Sequence, residues 1–178
     1  DVEIVTIAPP FVAEALAIRE IDGICVGEPW NSVAVERGVG VIVNVTSHIW
    51  LRGVEKVLAM QTARAEAEPE IVHRMIRALH KAGEIFVDPA RYSANSAILA
   101  RSEYLDGSAD LIERAISDRI TLAAGQEPVH IPDFMFQHRE AANFPWVSQA
   151  AWLYAQMVRA GHVVKSGPGY AAAQRVFR

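Results

Sequence analysis

The stretch Ile21-Asp22-Gly23-Ile24-Cys25-Val26-Gly27-Glu28-Pro29-Trp30-Asn31 decides how the first third of the chain is read. Ile21–Val26 is an apolar run predicted as a strand, and Gly27-Glu28-Pro29 closes it. Asn31 then stands where it can cap a helix through Ser32–Arg37, with Gly38 as the stop. Upstream, Val2–Ile7 reads as another strand, ended by Ala8-Pro9-Pro10 because proline cannot donate to a ladder. Phe11–Arg19 follows with Val12, Ala15 and Leu16 at helical spacing. Downstream, Val39–Thr46 is a third strand nearly unbroken in Val and Ile, a pattern that suits burial on both faces of an α/β layer fold.

Beyond it the pattern turns helical. Ser47–Val54 reads as a connection and Lys56–Gln61 as a further short strand. After Glu68-Pro69, the residues Ile71, Val72, Met75, Ile76, Leu79 and Ala82 recur at three and four positions, predicting a long amphipathic helix broken at Asp88-Pro89. A second helix is expected to about Ala100, carrying Ile98 and Leu99. A third starts at Gly107-Ser108, with Leu111, Ile112, Ala115 and Ile116 inward. A fourth covers Ser148–Ala160, with Ala151, Trp152, Ala155 and Val158 on one face and Gly161 as a left-handed stop. No repeat or low-complexity tract is present, and two lobes are expected to meet around residues 47–56.

The 178 residues are 51% hydrophobic and 21% charged, an ordinary globular composition. Seventeen Lys+Arg against 21 Asp+Glu give a net charge of −4, so bulk attraction to nucleic-acid phosphates is not expected. No apolar stretch approaches the roughly 20 residues needed to span a bilayer. The single cysteine, Cys25, permits no internal disulfide and is silent on compartment. The chain opens on Asp1 and runs straight into an apolar alternation, so it reads as a piece of a longer polypeptide.

Lys56 is one of three lysines and stands immediately before the apolar Val57-Leu58-Ala59-Met60. An ammonium at the entrance of a strand can hold a small anion through three donors, or it can pair with Glu55 in solvent. Gly27 permits close backbone approach directly after a strand, at the end of an open α/β sheet where ligands tend to sit. Main-chain N–H groups there can hold an oxyanion, Glu28 can orient Lys56 or a loop, and Trp30 can wall the site; alternatively the loop is a turn with a buried Trp and a capping Asn. Pro9-Pro10 ends the preceding strand in the same way, so the two loops would line one crevice. His73 and His80 share a helix face, but no Cys/His ligand spacing accompanies them, and no metal ligands are expected. Cys25, between Ile24 and Val26, reads as a buried small apolar residue. Ser47-His48 has no third partner, and Gly38-Val39-Gly40 and Gly167-Pro168-Gly169 lack a phosphate-loop context. No catalytic constellation emerges, and neither enzyme activity nor a cofactor is expected.

Taken together, Ile21–Asn31, Ala34-Val35 with Gly38 and Gly40, Ile49-Trp50 and Glu55-Lys56-Val57-Leu58-Ala59 resemble the nitrate- and bicarbonate-binding proteins of ABC transporters. Asn143-Phe144-Pro145-Trp146 with Ser148, Gln149, Ala151-Trp152 and Gln156-Met157 resembles a later signature of the same family. The resemblance implies an α/β chain forming the C-terminal portion of a two-lobed periplasmic-binding type II fold, with a helix-rich second half. It implies that 1–54 belong to one α/β lobe of the ligand cleft and 55–178 to the return segment and the helical part of the other lobe. It further implies ligand contacts at Lys56, Gly27 and Pro9, with Glu28 and Trp30 beside them, and nitrate or nitrite as the ligand. A carboxylate in place of Lys56 would suit bicarbonate with calcium. The implied partners are ABC transporter membrane subunits and the missing N-terminal half of the same polypeptide, in a periplasmic or membrane-associated extracytoplasmic setting. Val54 stands where the transporter proteins commonly have Pro before Glu-Lys. The Pro-Trp-Asn-Ser and Ser148–Arg159 runs also resemble a regulatory branch, cytoplasmic sensors that sequester an RNA-binding antiterminator.

Overall fold

The computed structural model describes residues 2–175. The chain divides into two compact units, Asp1–Gly53 with Met60–His138, and Val54–Ala59 with Arg139–Arg178. Gly53 and Val54 fall in different units, and Met60–His138 groups with the N-terminal segment.

In the first unit, a 3-10 turn at Pro9–Phe11 leads into helix α1 (Val12–Ala17), and α2 spans Trp30–Glu36. The two helices pack together and bury Val12, Ala13 and Ala15 from one and Ala34 and Val35 from the other. Gly38 ends α2 at φ +67°, the left-handed conformation that glycine adopts without steric cost. Helix α3 (Thr46–Ile49) occupies the start of the expected connection, and α4 covers Thr62–Ala67. Helix α5 (Pro69–Phe86) is the long helix read from its apolar period. Its apolar stripe lies open: Ile71, Ile76 and Leu79 are exposed and Gly83 is its only buried residue.

Asp88 breaks the chain after α5 as expected, its Oδ1 accepting the Ala90 N–H at 3.0 Å, and α6 (Tyr92–Leu99) follows. Helix α7 (Ala109–Ile116) starts at Ser108, whose hydroxyl accepts the Leu111 N–H at 3.4 Å. The four positions expected to face inward, Leu111, Ile112, Ala115 and Ile116, are all buried, as their spacing requires. Strand β1 (Arg119–Ile120) pairs antiparallel with β2 (Val129–His130), Arg119 opposite His130 and Ile120 opposite Val129. The core of this unit forms where β1 and α7 meet the 39–45 segment. Val45, Ala115, Ile120 and Ile131 pack together there, flanked by Ile42, Leu122 and Phe134.

The second unit contains α8 (Val147–Arg159) and α9 (Gly167–Arg175), which pack against each other. Gly161 ends α8 at φ +76°, the stop expected from sequence. Ala150 is buried, while Trp152 and Ala155, two of the four residues sharing the face read from sequence, are exposed. Tyr154 receives the Ser166 N–H at 2.9 Å and stands edge-on to Tyr170, tying the helix pair together. A side chain at Gly169 would come within 2.7 Å of the Tyr154 oxygen, so the close approach needs glycine.

The expected strands Val2–Ile7, Ile21–Val26, Val39–Thr46 and Lys56–Gln61 are corrected: among the described residues none joins a ladder. A strand persists only where its alternate N–H and C=O groups find partners on a neighbouring chain. From these four runs, the Ile42 N–H to the Leu122 carbonyl, at 2.8 Å, is the one long-range backbone bond among the described residues. Several of their apolar side chains stand in solvent, Ile4 and Val43 each 91% exposed, whereas Val45 is buried and Ile42 packs against the core.

Candidate functional site

The candidate loop is built from the start of α2. The Gly27 carbonyl accepts the Trp30 N–H at 3.3 Å, and the Asn31 side-chain amide donates to the Val26 carbonyl at 2.6 Å, which pins the loop to the run before it. Asn31 is therefore not the helix cap expected from sequence; α2 begins one residue earlier, at Trp30. Glu28 takes the capping part, its Oε2 accepting the Ser32 N–H at 3.2 Å. A carboxylate can reach over one turn to an unpaired helical N–H that the shorter Asn, committed to Val26, cannot serve. Gly27 is exposed, Trp30 half-buried and Pro29 buried, following a cis Glu28–Pro29 bond. Pro9 is exposed, in the turn that starts α1, the helix packed on α2.

Burial pushes the Glu28 carboxyl above its ordinary range, against the opposing bonds from Ser32 and Asn31. With its folded-state value raised, Glu28 binds more protons in the folded chain than in the unfolded one between the ordinary and the raised value. Stability contributed by this group is thus present below the ordinary range and lost as pH rises through that window. Urea denaturation of the wild type is expected to show this decline, and Glu28→Gln, neutral throughout, to remove it. Parallel pH profiles for the two proteins would contradict the assignment.

Lys56 lies in the second unit. It pairs with Glu55, and the two side chains are 81% and 71% exposed. Of the two readings open from sequence, the structure thus displays the solvated pair. Glu28, which sequence placed as a candidate orienter of Lys56 or of a loop, is engaged by the α2 backbone. Cys25 is exposed, which corrects the expectation of a buried thiol: the run that carries it has no sheet to enter. Ser47 is half-buried and its hydroxyl lacks a hydrogen-bond partner, while His48 is exposed.

A cavity of about 310 Å³ opens beside Glu36, Arg114, Thr121 and Gln126. Arg114 bonds Glu36 at 2.6 Å, Asp110 at 2.9 Å and Thr121 at 2.7 Å, so two carboxylates already balance its charge and leave no net attraction for an anion. Among the described residues, one group has metal-ligand chemistry: His80, Glu84 and His138, whose ligand atoms lie within 4.8 Å of one another. Sequence reading weighed His80 with His73 and missed His138, because their helical spacing says nothing of a residue brought in by a later loop. No described helix is long and apolar enough to cross a membrane.

The architecture is that of a periplasmic-binding type II fold. It superposes on the crystal structure of the periplasmic nitrate-binding protein NrtA from Synechocystis PCC 6803 with a TM-score of 0.89 at 20% identity, covering 96% of this chain and 45% of that one. The NMT1-like family profile matches residues 1–100, and the chain belongs to that family. The resemblance to the nitrate- and bicarbonate-binding proteins, read first from Ile21–Asn31 and Glu55–Ala59, is borne out. The "Nitrate/nitrite binding protein NrtA" of Synechococcus elongatus is 27% identical over 178 residues, all of this chain and 40% of that protein. The "Nitrate import ATP-binding protein NrtC" of the same organism is 32% identical over 161 residues, 90% of this chain and 24% of that protein. The chain thus spans less than half the length of the relatives it matches.

Proposed function

We propose that the chain supplies one part of an interlobe cleft that binds nitrate or nitrite, as the substrate-binding component of an ABC-type uptake system. The observation that carries this reading is a likeness over the whole chain to a protein named for binding those anions, together with the family fold. The proposed contacts are Lys56, the backbone at Gly27, and Pro9, with Glu28 holding the loop and Trp30 as an apolar wall. In this reading residues 1–54 belong to one α/β lobe of the ligand cleft and 55–178 to the return segment and the helical part of the other lobe. One ammonium balances one anionic charge, and its three donors suit a planar oxyanion without help from a metal. Closure of the lobes would exclude water and strengthen the pairing. The partners are the transporter's membrane subunits and the remainder of the same polypeptide, in an extracytoplasmic setting.

The similarity to an import ATP-binding protein as well as a binding protein supports uptake over the antiterminator-sequestering alternative. Calorimetric titration of the full-length receptor is the test. Saturable heat is expected with nitrate or nitrite and none with bicarbonate at matched ionic strength. Absence of heat with both nitrogen oxyanions would overturn the proposal.

A further inference from the structure

The surface group His80, Glu84 and His138 is not used by the anion reading, and its geometry is that of a metal site. His80 and Glu84 stand one turn apart on the same face of α5, with His80 Nε2 3.6 Å from Glu84 Oε1. His138 approaches from the chain beyond β2, its ring centroid 4.8 Å from that of His80 at an interplanar angle of 59°. All three are chemically competent ligands, and none lies deep in the unit: His80 and Glu84 are exposed and His138 is half-buried. We propose that these three side chains bind a divalent transition-metal ion of the zinc class.

The two supporting elements are held independently of any ion. Helix α5 fixes the first two ligands by its own backbone. The segment leading to His138 is tied down by the Ile131 N–H to the Asp118 carbonyl at 2.8 Å and the Met135 N–H to Asp118 Oδ1 at 2.7 Å. The Arg52 guanidinium lies 4.2 Å from the Phe136 ring centroid two residues before the ligand. Adjacent ligands in a tetrahedral zinc site stand roughly 3.3 Å apart for bonds of about 2.0–2.1 Å. The 4.8 Å spread therefore closes by small rotamer adjustments of exposed side chains.

Glu84 is suited to the role because its two oxygens are separately engaged. Oε1 faces His80, while Oε2 accepts from Lys81 Nζ at 3.1 Å. The Lys81 ammonium contacts the far oxygen of the Glu84 carboxylate and orients it from behind as an outer-shell partner does. Two imidazoles and one carboxylate select zinc, nickel or copper over calcium and magnesium, which prefer all-oxygen sets. Three protein ligands leave at least one position for water. An ion there would join α5 to the segment after β2 and stabilise the folded unit by mass action.

The experiment is titration of tag-free protein with zinc chloride, followed by calorimetry and by thermal unfolding. One equivalent is expected to bind, with a rise in unfolding temperature; calcium chloride gives neither. His138→Ala and Glu84→Gln are each expected to weaken zinc about tenfold or more and to abolish the thermal shift, with circular dichroism unchanged. His73→Ala is the control: His73 sits on the same helix against Glu70 at 3.8 Å, and its loss is expected to leave zinc affinity unaltered. Absence of saturable zinc binding, or equal affinity in wild type and His138→Ala, would overturn the proposal.

Discussion

Ile120→Ala is expected to lower the unfolding free energy by about 3 kcal/mol, within the range found when a buried Ile is cut to Ala in a packed core. Ile120 is 1% exposed. It belongs to a cluster drawn from separate parts of the chain: Val45 near the end of the 39–46 run, Ala115 on α7, and Ile131 just past β2. Ile42, Leu122 and Phe134 close its sides. The strand that carries it is two residues long, with Ile120 opposite Val129 and a single neighbouring strand. Packed side chains surround Ile120 from both sides of the cluster, so its truncation would leave a cavity. A shift of the urea midpoint without a change in slope would identify the loss as one of stability. Ile76→Ala provides the contrast, because Ile76 on α5 is 52% exposed, and a change within about 0.5 kcal/mol is expected there. If both substitutions cost the same, the core is misplaced.

That contrast explains which parts of the fold could be read from sequence. Helices α5, α7 and α8 were legible because their signal is local: apolar residues at three and four positions, a Pro or Ser at the start, a Gly at the end. Helix α7 went further, since the four positions expected to face inward are its four buried ones. Helix α5 carries an equally clear stripe that stays exposed, because periodicity reports that a face is apolar and not what covers it. The four apolar runs read as strands mark the other limit. Alternation and β-branching describe a segment fit for a sheet, but a ladder needs a second segment, and among the described residues Val2–Ile7 and Ile21–Val26 have none. Conversely, β1 and β2 are two residues each, too short for a period of two to register.

The candidate site divides along the same line. Gly27-Glu28-Pro29-Trp30 was recognisable as a loop, and the structure gives Glu28 the local task of capping α2, which sequence assigned to Asn31. That exchange follows from the bond between Asn31 and the Val26 carbonyl, a contact five residues apart that no spacing rule announces. Sequence reading set His80 beside His73 and did not pair it with Glu84, and His138 joins these two only through the turn of chain around Asp118. The apolar surface along α5 and on Val41 and Val43 fits a chain that spans 45% of the protein whose fold it shares.

In the full-length receptor, Lys56→Met is expected to weaken nitrate binding by about 10- to 100-fold, the loss of charge-assisted hydrogen bonds each worth roughly 1.5–3 kcal/mol. The substitution keeps the length and apolar stem of the side chain and removes only the ammonium. Its cost to folding is small, since the ion pair with Glu55 lies in solvent, where such pairs contribute about 0–1 kcal/mol. The same weakness makes exchange of partner feasible: under the proposed function, an anion would have only to displace Glu55 from a screened contact. Lys56→Arg is expected to retain more affinity than Lys56→Met, because charge survives while the planar guanidinium changes the donor geometry. Glu55→Gln should strengthen binding slightly by removing the competitor, and most at low ionic strength, where screening is least. These readouts separate the residue from the family assignment. If calorimetry gives wild-type nitrate affinity for Lys56→Met, the anion is held by other groups and Lys56 is a surface lysine. If the wild type itself fails to bind, the whole uptake reading goes with it.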